Sequence, residues 1–163
     1  MKGMVSIRAA TERDLPTILT FILELAKYER LEHQVVATED RLRRALFGTR
    51  PYAEVVLACV DGDPRGFALF FHNFSTFLGQ PGIYLEDLFV LPEARGRGLG
   101  RRLLGWLAAT AVERGCGRLE WAVLDWNEPS IRFYRNLGAK PLEEWRLFRL
   151  TGEALSQLAR RGV

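Results

Sequence analysis

A chain of 163 residues that is 48% hydrophobic and 26% charged has the composition of one ordinary globular domain, which excludes a disordered tail or a coiled coil. With 23 basic against 20 acidic residues, the net charge of +3 does not by itself point to nucleic acid. No apolar run approaches the ~18 residues that a membrane span requires.

No repeat or low-complexity linker interrupts the chain, so a single domain is expected over 4–163. Val5 to Arg8 reads as a short strand. Thr11, with Asp14 three residues on, looks like a helix cap before Leu15, Ile18, Leu19, Ile22, Leu23 and Ala26 recur at helical spacing. A second helix is expected after Thr38, turning Leu42, Ala45 and Leu46 inward. Glu54 to Val60 and Gly66 to Phe74 are β-rich runs on either side of a turn signal at Asp61, Gly62, Asp63 and Pro64, and so form a hairpin. Tyr84 to Val90 is the next strand.

After Pro92 comes a glycine-rich stretch and then a helix burying Leu99, Leu103, Leu104, Leu107, Ala108 and Ala111, which ends near Gly115. Leu119 to Leu124 is expected as a strand. Asn127, with Pro129 behind it, opens a helix carrying Ile131, Phe133, Tyr134 and Leu137, and Gly138 stops it. Glu144 to Leu150 is expected as a final strand, and Thr151 begins an amphipathic helix through Leu155 and Leu158. This order predicts an α/β domain with a mixed sheet rather than a dinucleotide fold.

The most informative segment is Arg95, Gly96, Arg97, Gly98, Leu99 and Gly100, between a predicted strand and a predicted helix. Glycines there let the backbone turn and approach a ligand, while unpaired N–H groups and the positive end of the helix favour an anion. Arg95, Arg97, Arg101 and Arg102 add charge that suits several phosphate groups better than one carboxylate. The Walker pattern fails because Gly100 is followed by Arg101 and Arg102. The Rossmann pattern fails because Arg101 stands where its third glycine belongs.

What the segment does resemble is the acetyl-CoA loop of the GNAT N-acetyltransferases, in which Arg or Gln is followed after two residues by Gly, any residue, then Gly or Ala. Arg95, Gly98 and Gly100 match it. The resemblance extends to the spermidine/spermine and thialysine branch through four further stretches: Lys27-Tyr28-Glu29; Tyr84 to Val90; Asp125 to Ile131 with Phe133 and Tyr134; and Glu144 to Phe148. It implies a mixed, mostly antiparallel central sheet flanked by helices. It also implies acetyl-CoA as cosubstrate, held by the loop from Arg95 to Gly100, by the backbone of Leu88 and Val90, and by Asn127 and Tyr134.

Acetyl transfer needs an amine freed of its proton, yet an alkylamine with a pKa of about 10.4 is almost wholly protonated at pH 7. By resemblance Glu86 acts as base through water, Asp87 and Glu29 attract the cationic substrate, and Tyr134 protonates the departing thiolate. Strand alternation puts Glu86 and Asp87 on opposite faces. The loop segment Phe77-Leu78-Gly79 departs from the branch, which often carries tryptophan at the first position, so the acceptor is left open.

His33 and His72 lie apart from any ligand set, so no metal is expected. Cys59 and Cys116, in a sequence without a signal-peptide pattern, are expected as thiols of a cytoplasmic protein. The leading expectation is an N-acetyltransferase for a polyamine, diamine or lysine analogue, working as a homodimer with neither nucleic acid nor membrane as partner. A protein or peptide acceptor, and a catalytically silent coenzyme-binding domain, stand beside it.

Overall fold

A computed structural model describes residues 3–162, which divide into two compact units, one up to Leu124 and one from Asp125 onward. The first unit holds strands β1 (Val5–Ala9), β2 (Glu54–Val60), β3 (Asp63–Ser75), β4 (Gln80–Val90) and β5 (Leu119–Trp121). They lie in the order β1-β2-β3-β4-β5, antiparallel except for the parallel β4–β5 pair. Helices α1 (Leu15–Glu29), α2 (Glu39–Phe47) and α3 (Leu99–Glu113) complete the unit. The expected mixed, mostly antiparallel sheet is present.

Every β2 residue except Glu54 is buried, because helices cover both faces of the sheet. On one face Val55, Leu57 and Cys59 pack with Ile18 and Phe21 of α1 and Leu46 of α2. Phe67 and Phe89, cross-strand partners on that face, stand 5.7 and 6.2 Å from the Phe21 ring. On the other face Phe70 meets Trp106 of α3 edge-on at 5.9 Å. Leu99, Leu103, Leu104, Leu107, Thr110 and Ala111 form the buried side of α3, whereas Ala108 is exposed: the stripe runs through Leu103, Leu107 and Thr110 and leaves it on the outer flank.

Asp61 and Gly62, both left-handed at φ 52° and 88°, make a two-residue turn between Val60 and Asp63. Strand β3 thus begins earlier than Gly66: Pro64 pairs with Cys59 and Gly66 with Ala58, so the ladder bulges at Arg65. Gly66 is required next to that bulge, since a Cβ there would sit 2.6 Å from the Phe89 carbonyl oxygen. At the junction of β1 and α1, Asp14 accepts from the Thr11 N–H at 2.8 Å and hydroxyl at 3.1 Å, and from two Arg8 nitrogens at 2.8 Å.

The second unit holds α4 (Glu128–Asn136) and α5 (Gly152–Arg161). Asn127 caps α4 by accepting from the Ser130 N–H at 3.3 Å, and Gly138 ends the turn beyond it at φ 90°. The strand expected over Glu144 to Leu150 does not form. Among the described residues this segment pairs with no strand, and Trp145, Leu147 and Phe148 are exposed.

Candidate active site

The centre of the site is an irregularity in β4. Leu69 pairs with Asp87 and its neighbour Phe70 pairs with Leu85, so Glu86 is an extra residue that the ladder skips. The bulge shifts the phase of the strand: Asp87 joins Phe89 on the α1 face, while Leu85 keeps to the α3 face with Phe70. Simple alternation therefore does not describe this strand, and Glu86 owes its exposed position to the bulge. The sequence carries one trace of it, two adjacent acids inside an apolar strand, which no single buried face could accommodate.

Strand β5 pairs with β4 only at Ile83, Tyr84 and Leu85 and stops at Trp121, short of the expected Leu124. From Asp87 to Val90, β4 is paired with β3 but has no β5 partner among the described residues. That is the stretch holding Leu88 and Val90, and its open edge can take a ligand's amides in place of a strand. Asn73 of β3 reaches across β4 to donate to Glu120 Oε2 of β5 at 2.9 Å, passing over Gly82, and so holds the paired end together.

Beyond Val90 a short 3-10 turn over Pro92–Ala94 leads into the glycine loop. Gly96 and Gly98 adopt left-handed conformations, φ 75° and 78°, that other L-residues enter only with strain. No atom lies within 4 Å of where a Cβ would stand at either, so the space over the loop is open. The first intrahelical bond of α3 runs from the Arg102 N–H to the Gly98 carbonyl at 3.0 Å, which leaves the N–H groups of Leu99, Gly100 and Arg101 without helical acceptors. The first turn contains no acid, and Arg97, Arg101 and Arg102 are exposed around it. These features fit a polyphosphate anion.

Arg95 is placed differently from its three neighbours. Its Nε donates to the Val90 carbonyl at 3.0 Å, and its guanidinium lies 5.0 Å from the Tyr28 ring centre and 5.7 Å from that of Phe89. Tyr28 belongs to the last turn of α1, a contact that no sequence pattern announces.

Three carboxylates gather on this side. Asp87 is half-buried, and burial together with the charges of Glu86 and then Glu29 pushes its carboxyl up to about 7. Burial alone raises Glu29. Within the first unit the charges of Glu86 and Glu29 thus both act on Asp87. Asn127 and Tyr134 belong to the second unit. Asn127 is buried and its side-chain oxygen is engaged as the helix cap, while Tyr134 is half-exposed on α4 with its ring 5.5 Å from that of Phe133. No group of three or more metal-ligating side chains occurs among the described residues.

The profile described as the Acetyltransferase (GNAT) family matches residues 19–139. A thialysine N-epsilon-acetyltransferase of Bos taurus is 41% identical, covering 96% of this chain and 98% of its own length, and the L-ornithine N5-acetyltransferase NATA1 of Arabidopsis thaliana is 34% identical over 96% and 89%. An integron cassette protein from the mobile metagenome of V. cholerae superposes with a TM-score of 0.80 at 29% identity, over 97% of this chain and 99% of its own.

Proposed function

From the premise that the chain belongs to the GNAT family and is an acetyltransferase, we propose that it moves the acetyl group of acetyl-CoA to a primary amine of a small cationic acceptor, by direct attack in a ternary complex. The acceptor class is a polyamine, a diamine or a lysine analogue. The observation that carries this reading is the half-buried Asp87 under the charges of Glu86 and Glu29, on the strand that leads through the Pro92–Ala94 turn to the glycine loop. Desolvated carboxylates attract a cation strongly, and one beside the loop can hold an amine next to a coenzyme anchored there. The thialysine and ornithine activities of the two relatives are transfers to small amines, which supports the same class.

Acetyl-CoA supplies a thioester whose carbonyl is open to attack. The N–H groups of Gly96 to Gly100, with Arg97, Arg101 and Arg102, hold its pyrophosphate, and the open edge at Leu88 and Val90 holds its amide arm. Glu86, exposed by the bulge, takes a proton from the bound ammonium through a water molecule. Asp87 and Glu29 hold the remaining charge of the acceptor. A β4 N–H at Leu88 or beside it donates to the carbonyl oxygen as negative charge develops there. Tyr134 gives its hydroxyl proton to the departing sulfur, and Asn127 orients the amide arm.

We assign the whole of 4–163 to one catalytic domain, a reading supported by the family match across both units. We place the protein in the cytoplasm as a homodimer. The exposed Trp145, Leu147 and Phe148, at 74, 78 and 90%, form an apolar surface suited to a second copy. No helix among the described residues is long and apolar enough to cross a membrane.

The test is direct. Protein incubated with acetyl-CoA and a panel of spermidine, putrescine, ornithine, thialysine and a lysine peptide is followed by thiol release and by calorimetry with CoA. Turnover with a small amine is expected. Turnover with the peptide alone gives the acceptor to a protein, and CoA binding without turnover leaves a silent coenzyme domain.

A further inference from the structure

The end of α1 is built with unusual care for a helix terminus. Arg30 follows Glu29 in a left-handed conformation, φ 60° and ψ 35°, which costs a non-glycine residue about 1–2 kcal/mol. Its N–H donates to the Lys27 carbonyl at 3.0 Å, and the Leu31 N–H reaches the Ala26 carbonyl at 2.8 Å. This double closure fixes the last turn, which presents Tyr28 and Glu29. The charge of Glu29 is one of the causes that raise the Asp87 carboxyl, after burial and the charge of Glu86.

The same turn is joined to the glycine loop through one side chain. Arg95 opens the loop, directly before left-handed Gly96, and its guanidinium spans from the Val90 carbonyl at 3.0 Å to the Tyr28 ring at 5.0 Å. It therefore lies over the aromatic rings of Tyr28 and Phe89, engaged there as a cation. An anion settling on the loop fixes the backbone around Gly96 and Gly98, which glycine otherwise leaves free to adopt several conformations. Fixing Arg95 in turn fixes the strut to α1.

We propose that Arg95 is a positioning residue that couples occupancy of the glycine loop to placement of the Tyr28–Glu29 turn, so that coenzyme and amine bind cooperatively. This rests on the functional reading above, in which the loop takes the coenzyme and Glu29 and Asp87 take the amine. Linkage makes the effect reciprocal: each ligand tightens the other by one factor.

The measurement is calorimetric binding of thialysine with and without saturating CoA, a pair that cannot react, together with the affinity for CoA alone. In the wild type, CoA is expected to tighten thialysine about fivefold, the scale of an exposed cation–ring contact. Arg95→Gln keeps a donor for Val90 but removes the cation, so the coupling factor should fall to about one. Tyr28→Leu should lose the coupling likewise, and Tyr28→Phe, which keeps the ring, should retain it. A structural role alone would lower the melting temperature without this pattern. Undiminished coupling in Arg95→Gln overturns the proposal, as does a tenfold loss of affinity for CoA alone with coupling kept, which makes the guanidinium a phosphate ligand. Wild-type protein that turns over normally but shows no coupling also overturns it, whereas absence of CoA binding in the wild type defeats the acetyl-CoA reading itself.

Discussion

Leu69 and Asp87 are cross-strand partners on the α1 face of the sheet, and they meet only because the ladder skips Glu86. One inserted residue thus sets two acids side by side with unlike surroundings, Glu86 exposed and Asp87 half-buried. Environments that differ in this way separate the behaviour of neighbouring carboxyls.

The first consequence concerns stability. Asp87 titrates near 7 when folded but near 3.9 in an unfolded chain, so between these values the folded protein holds a proton that the unfolded chain has lost. Stability contributed by this group falls as pH rises through that window and levels off above about 7. Asp87→Asn removes the titration. Its melting temperature relative to wild type should climb from pH 4 to pH 7 and then stay constant; a difference independent of pH would show that Asp87 ionises normally.

Kinetics separates the two acids. If Asp87 anchors the cation, the amine KM should rise as pH drops through 7, and Asp87→Asn should raise KM at pH 8 and flatten that dependence while kcat changes little. Glu86→Gln should lower kcat by about a hundredfold, the usual scale for a general base. Collapse of kcat in Asp87→Asn with modest loss in Glu86→Gln would transfer the base role to Asp87, whose titration near 7 suits it.

Asp14 titrates in the opposite direction. Hydrogen bonds from Arg8, and then from Thr11, outweigh burial and hold its carboxyl at about 2. Its stabilising contribution is complete above about pH 4 and is lost as the pH falls through 2. Asp14→Asn should cost on the order of 2 kcal/mol at pH 7, measured by urea denaturation, and the gap to wild type should close in acid.

Much of this arrangement was legible in the sequence, because the signals were local. Helical spacing and the Thr38 and Asn127 caps marked helices; the Asp61-Gly62 turn marked the hairpin; Gly96 and Gly98 marked a loop requiring left-handed backbone. Thr11 leads instead into a 3-10 turn over Glu12–Asp14, and Asp14 stands at the cap position of α1. What escaped depends on contacts between distant residues. The bulge at Glu86 is a matter of register with β3, the length of β5 is a matter of how far it pairs with β4, and the Arg95–Tyr28 contact joins residues far apart in the chain. The alternating Glu144 to Leu150 segment shows the converse, since local pattern makes no strand without a neighbour.

Tyr134 carries a prediction that separates chemistry from binding. It sits half-exposed on α4, so Tyr134→Phe removes one hydroxyl without emptying a core. Turnover should fall by about a hundredfold while calorimetric affinity for CoA stays within about twofold, as expected when a proton donor to the leaving sulfur is lost. Unchanged turnover would remove it from the acid role.

The last prediction concerns the strap that decides where β4 and β5 part. A Cβ added at Gly82 would run into Asn73 Oδ1 and stand 3.0 Å from Arg118 Cγ. Gly82→Ala must therefore displace the Asn73 side chain and break its 2.9 Å bond to Glu120, at a cost of about 1–3 kcal/mol for overpacking. Because the paired end at Ile83 to Leu85 fixes the start of the open edge, the substitution should also raise the KM for acetyl-CoA. Asn73→Ala costs its own hydrogen bond, but it clears the space that the new methyl group needs. The double variant should be more stable than the sum of the two single losses predicts, and its denaturation midpoint measures this. Strict additivity would show that Asn73 is not the group Gly82 makes room for, and would leave the parting of the strands to the bulge alone.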